Sequence, residues 1–295
     1  MKLAQIIVLL FFFITVSIFS QSETEVIGVN YSTYQKSNYI FFTSTTQKID
    51  AFVNYGHKIG KKSKLFYHVS YQNFNIDTDM NFDISLQEDI IFLPKIPNYD
   101  LLTFATGLEN SLKNNWNLTN FITYTIADDF SDDILNNNHY FRTFSFLKKK
   151  KSDNLTYGFG VYTDNVKDEF RILPILSLAL KNEQQGLKLF FPRSLKIWKK
   201  ITNKSYVEIS SDIDFNTLNT NSQENFNIEI FSVTTNLFYN YIFQKKWKLK
   251  TGIGLPYREF EYKLHSDSYK TTQKPAISFN LGLSFVIFQN EDDSN

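Results

Sequence analysis

The chain has 295 residues, 30 Phe, 17 Tyr, no cysteine and a formal net charge of +1. Lack of cysteine excludes disulfides, thiolate metal sites, cysteine nucleophiles and the acylated cysteine that tethers a lipoprotein. The near-neutral balance gives no long-range pull toward nucleic acid, and no Lys/Arg block is interleaved with stacking aromatics.

The N-terminus, MKLAQIIVLLFFFITVSIFSQS, has Lys2 as a short positive region, an apolar run from Leu3 to Phe19, and small residues at Ser20 and Ser22. This pattern predicts a cleaved signal peptide over 1–20, with the cut between Ser20 and Gln21. An uncleaved anchor helix is the alternative, because the run approaches the ~20 residues that span a bilayer. The remainder, 21–295, reads as one domain. No later segment reads as a membrane helix: the best, Leu173 to Leu180, is short and contains Pro174.

Period-two alternation dominates the rest of the chain. Strands are predicted near 25–34, 47–57, 64–75, 100–110, 116–126, 139–147, 155–163, 169–180, 186–192, 194–200, 205–215, 226–243, 247–260 and 275–288. Leu65, Tyr67, Val69 and Tyr71 oppose His68, Ser70 and Gln72, and Trp247, Leu249, Ile253, Leu255 and Tyr257 oppose Lys248, Lys250 and Arg258. Successive side chains on a strand point to opposite faces, so each segment has one apolar and one wet face. The pair 186–200 must be a tight hairpin over Pro192-Arg193, and without it the count falls from fourteen to twelve. In 226–243 the apolar phase changes after Ile230, which predicts a β-bulge.

Short Lys/Asn-rich turns precede many strands, as in GKKSKL and FQKKWKL, and the run Lys148–Lys151 reads as another turn. Polar residues collect in longer connections at 35–46, 76–99, 127–138, 216–225 and 261–274. Short turns at one end and long loops at the other are the rhythm of an antiparallel up-and-down transmembrane β-barrel. A soluble secreted β-protein is the competing class, since alternation also describes any half-buried antiparallel strand. Strands of ~10 residues suit a tilted membrane crossing better than a sandwich, whose strands average ~5–6. Trp116, Trp247, Tyr157, Tyr257 and Tyr71 lie near strand ends, where interfacial girdles form. The last strand, PAISFNLGLSFVIF, carries Asn280, Gly282, Phe285 and Ile287 at a spacing that looks like the signal read by barrel-insertion machinery. That machinery and outer-membrane lipid are therefore the expected partners.

The block RILPILSLAL followed by LKLFFPRSLKIWKK, residues 171–200, joins a Pro-capped strand, a polar turn, a strand ending in Pro and a rising strand. With the terminal strand, it resembles a family of uncharacterised outer-membrane β-barrels of the Bacteroidota, over about the C-terminal two-thirds. The resemblance implies a fold and a location in the bacterial outer membrane, and no activity.

Candidate chemistry is sparse. His68-x-Ser70 places imidazole and hydroxyl on one strand face, with Asn73 or Asn75 available to orient the histidine, as in barrel phospholipases. That face is the wet one, pointing into the lumen and away from lipid, so the pair reads as lumen lining and the chain as no enzyme. His57, His139 and His265 lack partners at metal-ligand spacing, and no cofactor motif is present. Asp128, Asp129, Asp132 and Asp133 form a carboxylate-rich loop that reads as solvated, with Ca²⁺ binding the alternative. Glu208, Asp212, Asp214 and Glu229 are expected to face Lys248, Lys250 and Arg258 across the lumen, bracing the barrel or lining a polar path. The expected function is a passive channel or transporter for small solutes, the alternative a sealed barrel with a structural or surface-binding role.

Overall fold

The computed structural model describes residues 23–38, 42–80, 98–128, 138–166, 169–219, 227–264, 267–272 and 276–288. The predicted signal peptide, His265, the clustered Asp129, Asp132 and Asp133, and the tail after Phe288 lie outside them.

Alternation over so many consecutive segments leaves each strand needing partners on both edges, and the chain meets that need by closing on itself. The strands are β1 (Glu23–Asn38), β2 (Phe42–Ile59), β3 (Ser63–Met80), β4 (Tyr99–Ser111), β5 (Trp116–Asp128), β6 (Asn138–Ser152), β7 (Leu155–Val166) and β8 (Glu169–Lys181). They continue as β9 (Gln185–Phe191), β10 (Ser194–Thr202), β11 (Ser205–Asn219), β12 (Asn227–Phe243), β13 (Trp247–Leu264), β14 (Asp267–Thr272) and β15 (Ser278–Phe288). Every sequential pair up to β12–β13 is antiparallel, and β15 closes the ring between β13 and β1. β14 and β15 lie end to end along β13, on residues 259–264 and 247–254, and form one stave. The fold is a closed antiparallel barrel of fourteen staves, in which β14 pairs only with β13 among the described residues.

The strands exceed their predicted lengths mainly at one end. Asn38 pairs with Thr43, and β3 runs to Met80, so much of the polar sequence predicted as loop at 35–46 and 76–80 is strand. β13 and β14 likewise absorb most of 261–274. Lys148–Lys151 is no turn: β6 continues to Ser152, and Lys148 points inward to Glu109 at 2.5 Å. The predicted bulge in β12 is absent. Register runs unbroken from Asn227 to Phe243 against both neighbours, and Ile230 is a buried lumen residue rather than a member of the outward row.

The outward face is apolar. Val29, Val53, Val69, Ile122, Phe159, Leu176, Ile209, Leu237, Ile253 and Leu281 are all at least two-fifths exposed, spread around the circumference. Aromatic residues bound this belt. At the short-turn end Trp116 meets Tyr157 edge-on, Trp247 meets Phe285, and Tyr55 stacks on Tyr67. At the other end, Tyr71 donates a hydrogen bond to Asp100 at 2.7 Å, and Tyr257 packs edge-on to Phe231. Ten positions of β13 separate Trp247 from Tyr257. At ~3.3 Å per residue and a tilt near 40° the belt is about 25 Å tall, the height of an outer-membrane apolar band.

Backbones approach closely where β7 meets β6. A Cβ on Gly160 would lie 2.2 Å from the Ser145 carbonyl oxygen and 2.8 Å from Phe146 Cα, both backbone atoms of β6. Gly160→Ala is therefore expected to destabilise the barrel by ~1–3 kcal/mol, the cost of overpacking a site that cannot move aside. Urea unfolding in detergent micelles measures it, and an unchanged midpoint would contradict the close approach.

Candidate functional site: the lumen

The inward face divides into an aromatic side and a charged side. Lumen-facing Phe66, Phe121, Phe144, Phe146, Tyr162, Ile175 and Phe190 form a buried cluster contributed by β3 and by β5 to β9. Phe121 stacks on Phe66 at 5.9 Å and on Phe144 at 4.9 Å, and Phe146 meets Phe190 edge-on at 5.9 Å. Gly107 makes room for this stack, since a Cβ there would sit 2.5 Å from the Phe121 ring. Strict alternation predicts a uniformly wet lumen. These rings overturn that: inside a narrow barrel opposite walls come close enough for inward aromatics to bury one another.

On the other side charges pair across the interior. Lys248 bonds Glu25, a partner the alternation of β1 concealed because a register shift between Glu25 and Ile27 turns Glu25 inward. Lys250 pairs with Glu208 at 3.3 Å and lies over the Phe238 ring at 3.7 Å. Asn280 accepts from the Ser32 hydroxyl at 2.7 Å and donates to Asn236 at 3.1 Å. A Cβ on Gly282 would lie 2.3 Å from the Asn30 side chain, while Ile287 faces out and Phe285 packs on Trp247.

Asp212 and Asp214 occupy inward positions on β11, but Asp214 pairs with Arg193, at 3.8 Å, rather than with Arg258. Arg258 donates to the Thr46 hydroxyl at 2.9 Å and covers the Tyr34 ring at 4.1 Å. Glu229 is a correction. It shares the phase of outward Leu237 and Tyr239 and lies opposite Glu261, so it does not line the lumen with the other carboxylates.

Arg193 is the residue sequence reasoning missed. Its place in the Pro192-Arg193 turn predicts a solvated side chain, since turns ordinarily sit in water. Yet β9 and β10 have only 7 and 9 residues, against 13 and 15 in flanking β8 and β11. The hairpin therefore ends well short of the rim its neighbours reach, and its tip is swallowed by the barrel. The Arg193 carbonyl accepts from the Ile213 amide at 3.0 Å, and the residue is 3% exposed. The mismatch in strand lengths was the available signal.

His68 and Ser70 both face the lumen. His68 Nδ1 is 2.6 Å from Asn54 Oδ1, its cross-strand neighbour on β2, and no hydrogen bond joins it to Ser70 among the described residues. Asn73 faces outward and donates to Asp100, and Asn75 is exposed on the same face, so neither orients the histidine. His57 stacks on Tyr55 and Tyr67, and His139 is 2.6 Å from the Tyr124 hydroxyl, so both belong to the aromatic girdles. Among the described residues no group of His and carboxylates could hold a metal ion.

Toward the long-loop end the lumen holds a cavity of ≈ 70 Å³ above the aromatic cluster. On β6 the cavity takes Arg142 and the cluster Phe144 and Phe146; on β3 the cavity takes His68 to Ile76 and the cluster Phe66.

Among solved structures, the chain is similar to the COG4313 outer membrane channel from Pseudomonas putida F1, at 12% identity and a TM-score of 0.47, covering 93% of this chain and 100% of that one. It is also similar to the TodX monoaromatic hydrocarbon channel deltaS2 mutant, at 10% identity and a TM-score of 0.41, covering 91% and 90%. The KdgM porin in complex with disordered oligogalacturonate matches at 8% identity and a TM-score of 0.35, covering 88% and 98%. No curated protein sequence matches the chain. The profile described as "Domain of unknown function (DUF6268)" matches residues 99–287, so the chain belongs to the DUF6268 family.

Proposed function

We propose that this protein is an integral outer-membrane barrel that passes small polar solutes through a narrow lumen, without a cofactor. The division of the wall carries the reading: an apolar belt about 25 Å tall faces out, and charged and polar groups face in. A water-soluble protein would gain nothing by turning its carboxylates and ammonium groups inward while leaving Leu, Ile and Val on the surface. In lipid the arrangement is required, because only a closed barrel or a helix satisfies its backbone there. The short turns then lie on the periplasmic side with both ends of the barrel, and the long connections face outside. The closing strand, with Asn280, Gly282, Phe285 and Ile287, is the segment the insertion machinery would read.

The aromatic cluster and the ion pairs narrow the lumen below the cavity, and this favours, as a second reading, a barrel that is sealed at rest. Single-channel recording of refolded protein in a planar bilayer decides between them. The channel reading expects discrete openings of small conductance. A barrel that migrates as folded on an unboiled detergent gel, yet stays electrically silent, would establish the sealed alternative.

A further inference from the structure

The cavity in the outer half of the lumen has a one-sided charge. Its lining includes Lys48, Arg142, Arg193 and Arg258, against the single carboxylate of Asp214. Elsewhere in the lumen, Lys148, Lys248 and Lys250 each have a glutamate partner. Here the balance is different. Arg142 is 8% exposed and its Nε has no hydrogen-bond partner among the described residues; Arg193 is 3% exposed and the same holds of one terminal nitrogen, Nη2. The ion pair from that nitrogen to Asp214 spans 3.8 Å, beyond hydrogen-bond reach. Arg142 and Arg193 stand close enough to repel one another, with Asp214 and, behind it on β11, Asp212 as the carboxylates within electrostatic reach of Arg193.

A buried guanidinium with an unmet N–H is costly, and two facing one cavity define a demand for negative charge and acceptor oxygens. Arginine offers a planar fork of donors that suits carboxylate and phosphate oxygens. The size of the cavity limits what can meet the demand. At about 10–15 Å³ per water in the same measure, ≈ 70 Å³ holds a cluster of a few waters or one small anion, not a sugar chain or a nucleotide.

We propose that the outer half of the lumen is a binding site for a small oxyanion, a phosphate or a carboxylate, held by the Arg142 and Arg193 guanidinium groups with Lys48 and Arg258 adding positive charge. The site deepens the channel reading by naming its solute class, and rests on that reading for the solute's onward passage but not for binding. An anion arriving from outside meets this site before the aromatic constriction. Asp214 competes with it for Arg193, which keeps the affinity moderate and lets the anion leave.

The test is calorimetric titration of the folded, detergent-solubilised barrel with sodium phosphate and, separately, sodium acetate, at constant ionic strength in sodium chloride. Saturable binding of either is expected. Binding of phosphate alone or acetate alone supports the site and identifies which oxyanion it takes. Arg142→Gln and Arg193→Gln should each weaken binding roughly tenfold or more, as loss of a charge-assisted hydrogen bond predicts, and Asp214→Asn should tighten it. Arg142 lies on a long strand rather than at the hairpin tip, so Arg142→Gln remains informative if Arg193→Gln fails to fold. No saturable heat from either salt, or binding that neither arginine variant alters, would overturn the proposal. A barrel that conducts no current but still binds phosphate would remove the channel and leave the site standing.

Discussion

Replacing Ile253 with arginine is expected to destabilise the barrel by ~2–4 kcal/mol, the cost of a charge at the midplane of the lipid face. Ile253 lies six positions above Trp247 and four below Tyr257, near the middle of the belt, and is 51% exposed between Leu237 and Phe279. The measurement is the urea midpoint for folding into lipid vesicles. The sign separates the two classes of protein that alternation permits. A half-exposed surface isoleucine of a water-soluble sandwich would accept arginine within about 0.5 kcal/mol either way. Thr272→Arg on β14, beyond the belt, is the control and should have little effect on a membrane barrel. If both variants unfold at the wild-type midpoint, the belt does not face lipid.

That contrast also explains which parts of the molecule could be read from its residues. The outward face was legible because its composition is uniform: between the girdles Val, Ile, Leu and Phe recur at period two around the whole circumference. The stave count followed, and so did the hairpin at Pro192-Arg193. Beyond the girdles the outward face turns polar, the alternation loses contrast, and the polar ends of β1, β2, β3 and β13 read as loops. The lumen was the harder half. Its environment is set by whatever lies opposite, so Phe121 and Lys250 are both inward residues with different neighbours across the barrel. Phase could place Lys248 and Glu208 inside, but not pair Lys248 with Glu25, because that pairing depends on a register shift in β1 and on the closure of β15 between β1 and β13. Glu229 failed for a related reason: an apolar pair at Ile228 and Ile230 looked like an outward row, and a bulge was invoked to reconcile it with the strand. The uninterrupted register of β12 instead puts Ile230 in the lumen and Glu229 on the outside.

Phe146→Ala should have two consequences at once, and the second makes it worth more than a stability measurement. Phe146 is 1% exposed, meets Phe190 edge-on across the interior and lies against Gly158 and Gly160 of β7. Truncating a buried phenylalanine removes its transfer energy and leaves a void, for a loss of ~3–5 kcal/mol where the surroundings cannot collapse. A closed ring of hydrogen-bonded strands cannot collapse far, so the upper part of that range is expected. The void lies in the lumen beside the constriction, so water and ions gain cross-section there: single-channel conductance should rise if the wild type conducts, and appear if it is silent. Phe159→Ala, on the outward face of β7 and 53% exposed, is the matched control, because its truncation leaves no enclosed void and the lumen is untouched. Unchanged conductance in a stably inserted Phe146→Ala barrel would show that the aromatic cluster does not set the bore, and would move the constriction to the Glu208–Lys250 and Glu25–Lys248 pairs on the opposite wall. Those pairs are largely buried, so salt screens them only weakly, and substitution gives the complementary expectation: Glu208→Gln should change the conductance of a bore set by ion pairs and leave one set by rings unaltered.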